Sequence, residues 1–144
     1  MNWMRKQLRK QKNRLGNGVG NRGAEVLEMA LMLPMLLVLI FGMVEFGYFF
    51  YLQHNLQAAA REGARTGAML NATDTDAVNK ASAFLSAANL NAGSFAITSS
   101  TSGDTITVTV QATWGQVGVL HFPLVPISDG KVIRGAAVMR KEGV

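Results

Sequence analysis

From Met29 to Val44 the chain runs without a single charged residue, MALMLPMLLVLIFGMV, and only Glu45 interrupts the apolar stretch before Leu52. A helix that is apolar on every side is either buried in a large protein or placed in lipid. A chain of 144 residues forms one compact domain with little left over, so it has no interior wide enough to hide such a helix. Lipid remains. Taking residues 29–52 together gives about 24 residues, or ~36 Å at 1.5 Å per residue, enough to cross a ~30 Å hydrocarbon core with some tilt. Phe46, Tyr48, Phe49, Phe50 and Tyr51 crowd the far end, where an interfacial aromatic belt belongs. Pro34 lies inside the run and removes one backbone donor, which predicts a kink or local loosening that membrane helices tolerate.

The charges show which way the span points. Residues 1–23 hold Arg5, Lys6, Arg9, Lys10, Lys12, Arg14 and Arg22 and no acid. The other seven of the 14 cations, and all nine acids, lie beyond. The positive-inside rule therefore predicts a single pass with the N-terminus in the cytoplasm and the C-terminal domain outside. The sequence pI near 10.0 belongs to this leader and not to the domain, which argues against a nucleic-acid reader. Residues 1–23 read as a disordered polar leader, its end from Leu15 to Gly23 rich in Gly and Asn. There is no cysteine, so an exported domain has to stand on its core without disulfides. Two histidines, His54 and His121, are a poor start for a metal site, and no cofactor, metal or small-molecule substrate is expected.

Beyond the span, residues 53–70 stay helical but turn polar. Ala60, Ala64 and Ala68 repeat at four-residue spacing, as do Ala59, Gly63 and Gly67. Such a thin face suits close packing, either onto the chain's own sheet or between subunits. Arg61 and Arg65 share the other face, with Glu62 within reach of Arg65. Asn71–Asp74 breaks the helix, and Thr73, Asp74 or Thr75 caps a second one, with Ala77, Val78, Ala81, Phe84, Leu85 and Ala88 at helical spacing. The period then changes to two. Residues 95–98 read as a short strand, 99–104 as a turn, 105–113 as a strand, 114–129 as a loop and 131–140 as a last strand. The expected fold is α+β and pilin-like: a long N-terminal helix, a second short helix and a small three-stranded antiparallel sheet. The expected divisions are a basic leader 1–23, a transmembrane helix 24–52 and an exported domain 53–144.

The junction Arg22-Gly23-Ala24-Glu25-Val26-Leu27-Glu28-Met29 carries the functional signal. A basic leader ends in Gly, and five residues later an acid stands at the lip of an apolar helix. A carboxylate deep in lipid costs roughly 2–3 kcal/mol on insertion scales, so Glu28 needs either a shallow position or a partner. Cleavage after Gly23 would give Ala24 a free α-amine, positive at pH 7, which a neighbouring subunit's Glu28 could take. Without cleavage, Glu28 is a lip charge favoured by a helix N-terminus. Glu45 has two readings: a helix–helix contact or salt bridge to a neighbour's cation, or a carboxylate at the outer headgroup level.

Together the leader, Gly23-Ala24, Glu28, the apolar run, Val44-Glu45-Phe46-Gly47 and Ala59-Ala60-Arg61-Glu62-Gly63-Ala64-Arg65 resemble TadE-like proteins, pseudopilins or minor pilins of the tight-adherence (Flp, type IVc) pilus system. The resemblance is dense over residues 19–70, and Gly135–Arg140 also fits. Met29 stands where Flp-type motifs usually carry Tyr or Phe. The resemblance implies a bacterial inner-membrane protein cut between Gly23 and Ala24 by a prepilin peptidase. Glu28 would serve recognition or assembly, and Pro34, Glu45, Ala60, Gly63, Ala64 and Gly67 helix packing. Implied partners are that peptidase, the major Flp pilin, other minor pilins and an inner-membrane assembly platform. The chain would be an enzyme's substrate and not an enzyme. Two other readings compete. One is an ordinary signal peptide cut near Ala58–Ala60, or an uncleaved signal anchor, on a secreted or membrane-anchored binding protein. The other is an anchored hydrolase, for which the exported part offers no nucleophile–base motif.

Overall fold

The computed structural model describes the backbone of residues 2–119 and 127–143, with side chains from residue 23 onward within those ranges. The elements run α1 (Asn2–Gly67), α2 (Asp74–Ala87), a 3₁₀ turn (Ala92–Ser94), β1 (Ala96–Ser102), β2 (Thr105–Thr113), the single-turn α3 (Trp114–Val117) and β3 (Val132–Arg140). The fold is therefore the expected α+β arrangement, with a long N-terminal helix, a second helix and a three-stranded antiparallel sheet ordered β1-β2-β3. The chain divides into two compact units, Met1–Ile40 and Phe41–Val144.

Within the first unit, α1 corrects one expectation. The bounds of α1, Asn2–Gly67, take in the leader that composition marked as disordered, its Gly- and Asn-rich end included. Each Gly costs a helix about 1 kcal/mol, but extending an existing helix adds one hydrogen bond per residue, so a helical flank on either side carries the segment. From Gly23 to Leu37 every residue is exposed, including Leu27 at 75% and Leu31 at 81%. The stretch from Gly23 to Gly67 holds a window of mean hydropathy 2.4, long and apolar enough to cross a membrane. Pro34 lies within this helix, and the helix continues through it.

The second unit has a core of its own. Along α1, Leu52, Leu56, Ala59, Ala60 and Ala64 are fully buried. They meet Ala77, Ala81 and Leu85 of α2 and the inward row Ile106, Val108 and Val110 of β2. Trp114 and Ile133 complete the core. Asn71, at φ 63°, lies in the loop after α1, and Thr73 caps α2. The Thr73 backbone N–H and hydroxyl both donate to Asp76 Oδ2 (2.9 and 2.7 Å), and the Asp76 N–H returns a bond to Thr73 Oγ1 (3.2 Å).

β1 is longer than expected. Ser99–Ser102 continues the strand instead of turning, and the turn is only Gly103-Asp104, closed by the Ser102–Thr105 pair. Gly103 takes φ 58°, which a two-residue hairpin loop requires at its first central position. Part of the expected loop at 114–129 is α3, and His121, Pro123 and Pro126 lie outside the described residues.

Candidate functional site

The residues expected to act fall into three groups along α1. The first is the junction. Gly23, Ala24, Glu25 and Glu28 are all exposed, and a side chain placed at Gly23 would meet nothing within 4 Å. No ion pair engages Glu25 or Glu28 among the described residues. The Gly23–Ala24 bond and the Glu28 carboxyl are open to whatever lies beside this segment.

The second group is the thin face. Gly63 and Gly67 point into the chain's own domain. A Cβ on Gly63 would stand 2.8 Å from the Ala77 carbonyl oxygen and 3.1 Å from the Ala81 methyl, and one on Gly67 would strike Ile106 and Ala77. Ala60 and Ala64 are buried on the same side. Here the small residues let α1 approach α2 and β2 closely. Arg61 and Arg65 stay exposed. Glu62 pairs with Lys80 of α2 at 3.7 Å and not with Arg65, because α2 brings its cation alongside this face.

Beside that face is a seam that sequence reasoning missed. Gln53 Nε2 donates to the Arg134 carbonyl at 3.0 Å. Gln57 Nε2 donates to the Ala136 carbonyl at 2.8 Å, and the Ala136 N–H donates to Gln57 Oε1 at 3.3 Å. The two glutamines are one helical turn apart, about 6 Å, which matches two residues of strand, about 6.6 Å. The outer edge of β3 is thus bonded to α1 by side-chain amides. Gly135, between the two bonded residues, lies against the Leu56–Gln57 backbone, where any side chain would collide. The sequence signal was present: Gln at i and i+4 on α1 and a glycine inside β3.

The third group surrounds Glu45. Its side chain is 2% exposed, in line with Leu52 and next to Tyr48 and Phe49, both of which pack on Trp114 with ring centroids 6.2 and 5.6 Å away. Glu45 Oε2 is buried and finds no hydrogen-bond donor among the described residues.

Elsewhere, a cleft of about 350 Å³ at the end of the sheet is lined by neutral residues including Phe95, Gln111, Gln116 and Val132. Among the described residues no three His, Cys, Asp or Glu side chains gather as a metal site, and His54 is exposed. Outside the span, the Asp76 carboxyl is held below the usual carboxylate range by the Thr73 hydroxyl and then by the Thr73 backbone N–H.

Among the described residues these features describe one class of chain: one helix long and apolar enough to cross a membrane, and a small α+β domain whose first element is the later part of that helix. Within the class, residues 23–65 match the family model described as TadE-like protein, the family that the sequence resembled. That segment holds the junction, the apolar run, Glu45 and most of the thin face. No curated protein and no solved structure matches the chain.

Proposed function

We propose that the chain is a minor pilin or pseudopilin of a tight-adherence pilus, inserted in the bacterial inner membrane and cut after Gly23 by a prepilin peptidase. The observation that carries this reading is the junction: Gly23 closes a purely cationic leader, and Glu28 stands five residues on, exposed, at the start of an apolar helix inside the matched segment. Cleavage removes seven positive charges that would hold the chain at the membrane and repel its neighbours. It also creates the Ala24 amine, which neutralises a neighbour's Glu28 as subunits pack. The chain is then a substrate and a structural partner of the major pilin and the assembly platform, and catalyses nothing itself. Its folded domain, beyond what a bare pilin helix needs, fits a minor, tip or assembly role.

The test is the mature N-terminus together with pilus counts. A mature chain beginning at Ala24, and a loss of pili on Glu28→Ala, support the reading. A mature chain beginning near Arg61 would make the segment an ordinary signal peptide. Pilus counts unchanged by Glu28→Ala would remove the proposed assembly charge.

A further inference from the structure

The bond proposed to be cut, between Gly23 and Ala24, lies inside a helix. α1 runs unbroken from Asn2 to Gly67, and this bond is well within it. In α-helical geometry the Gly23 carbonyl accepts from the N–H four residues on, at Leu27, and the Ala24 N–H donates to the carbonyl of Gly20. Hydrolysis needs that peptide unit free. The oxygen of a water joins the Gly23 carbonyl carbon, the bond to the Ala24 nitrogen breaks, and a proton passes to that nitrogen, leaving an acid and an amine. Proteolysis therefore draws on a locally opened state, and its rate follows the population of that state where opening and closing are fast. Composition decides where α1 opens. Residues 15–23, LGNGVGNRG, put glycine at 16, 18, 20 and 23. Residues 24–33, AEVLEMALML, contain no glycine and are nearly all strong helix formers. The weak stretch ends at the proposed cut. α1 is helical through it, so none of these glycines serves a turn. A side chain at Gly23 would meet nothing within 4 Å, so that glycine serves no packing among the described residues. What the glycines change is the free energy of leaving the helix.

We propose that Gly16, Gly18 and Gly20 are positioning residues for the cleavage. They let α1 unwind on the leader side of Gly23 and offer the Gly23–Ala24 bond in extended form. The strong helix beyond stays wound and keeps Glu28 in place, five residues on from Gly23. The same division sets where the chain is cut, because opening stops where the helix formers begin. None of the three glycines belongs to the scissile peptide unit, so they act through the backbone at Gly23 and not on the reacting atoms. This inference rests on the processing proposed above.

The test follows conversion of the full chain in the membranes of its own host cells by pulse labelling, with the mature N-terminus sequenced. Gly18→Ala or Gly20→Ala is expected to slow conversion about fivefold, and alanine at 16, 18 and 20 together about a hundredfold, with the cut unmoved. Gly18→Pro, combined with Gly16→Ala and Gly20→Ala, restores conversion to near the wild-type rate, because proline breaks the helix that alanine builds. A peptidase that only needed small residues at these positions would reject proline as well. In the uncleaved chain, purified in detergent from cells lacking the peptidase, amide hydrogen exchange is expected to be about tenfold faster over residues 16–23 than over 24–33, and the three alanines close that gap. The proposal is overturned by alanine variants cut at the wild-type rate, by a proline variant as slow as the triple alanine one, or by exchange over 16–23 as slow as over 24–33. In each of those cases a wild-type chain beginning at Ala24 leaves the processing itself standing. A wild-type chain never cut at Gly23 ends the processing and this inference together.

Discussion

Removing the Gln57 side chain tests whether the β3 edge is held by α1. Gln57→Ala deletes two hydrogen bonds, those to the Ala136 carbonyl (2.8 Å) and from its N–H (3.3 Å). A net hydrogen bond contributes about 0.5–1.5 kcal/mol, and an orphaned buried group costs the higher figure. Both Ala136 groups are only partly buried, so water recovers some of the loss, and the expected cost is about 1–2 kcal/mol. For a compact unit of about 100 residues, Phe41–Val144, this lowers the thermal midpoint by roughly 4–12 °C. The assay follows Trp114, 1% exposed in the core, in a Trp3→Phe background, with the full chain in detergent. Gln57→Glu keeps an acceptor for the Ala136 N–H but sets a carboxylate against the carbonyl, so it falls at least as far. Gln53→Ala, which loses one bond, costs less than Gln57→Ala. A Gln57→Ala midpoint within a degree of wild type would show that the seam contributes nothing and that β3 is held by its pairing with β2 alone.

Other substitutions separate the remaining contributions. Gly67→Ala forces a methyl into Ile106 and Ala77 and is expected to cost about 1–3 kcal/mol by urea unfolding, whereas Gly42→Ala, with open space around it, leaves stability unchanged. Leu52→Ala, at a fully buried site, costs about 2–5 kcal/mol in the same assay. Lys80→Ala breaks a partly exposed ion pair and shifts stability by under about 0.5 kcal/mol. Because the folded Asp76 pKa is lowered, its contribution is present above the unfolded value and is lost as pH falls through the folded one. The α2 cap is therefore expected to loosen only on the acid side of the usual carboxylate range, with Asp76→Asn removing that dependence in an amide NMR titration.

How far the sequence spoke depended on the range of the interaction. The Thr73–Asp76 cap and the alternation of Ile106, Val108 and Val110 are local patterns, and the structure has both. Ser99–Ser102 carried no alternation to read. It is strand because its register with Thr105–Val108 supplies the bonds. Glu62 was read against its helical neighbour Arg65, but its counter-ion, Lys80, arrives through the turn that brings α2 back. Gln53 and Gln57 looked like ordinary polar helix residues. Their role exists only once β3 lies beside α1 at a matching pitch. The small residues Gly63 and Gly67 were legible as a packing face, because their signal is spacing along one helix. The burial of Glu45 was not, because the domain's own packing creates it.

One helix therefore meets two different demands. From Gly23 to Leu37 it presents exposed apolar side chains, and from Leu52 onward its small and apolar residues are spent on a core. A monomeric soluble protein rarely leaves so large an apolar surface bare. In the proposed pilus role that surface would face lipid before assembly and neighbouring helices within it. Glu45 sits between these two stretches, buried, and its Oε2 finds no donor among the described residues.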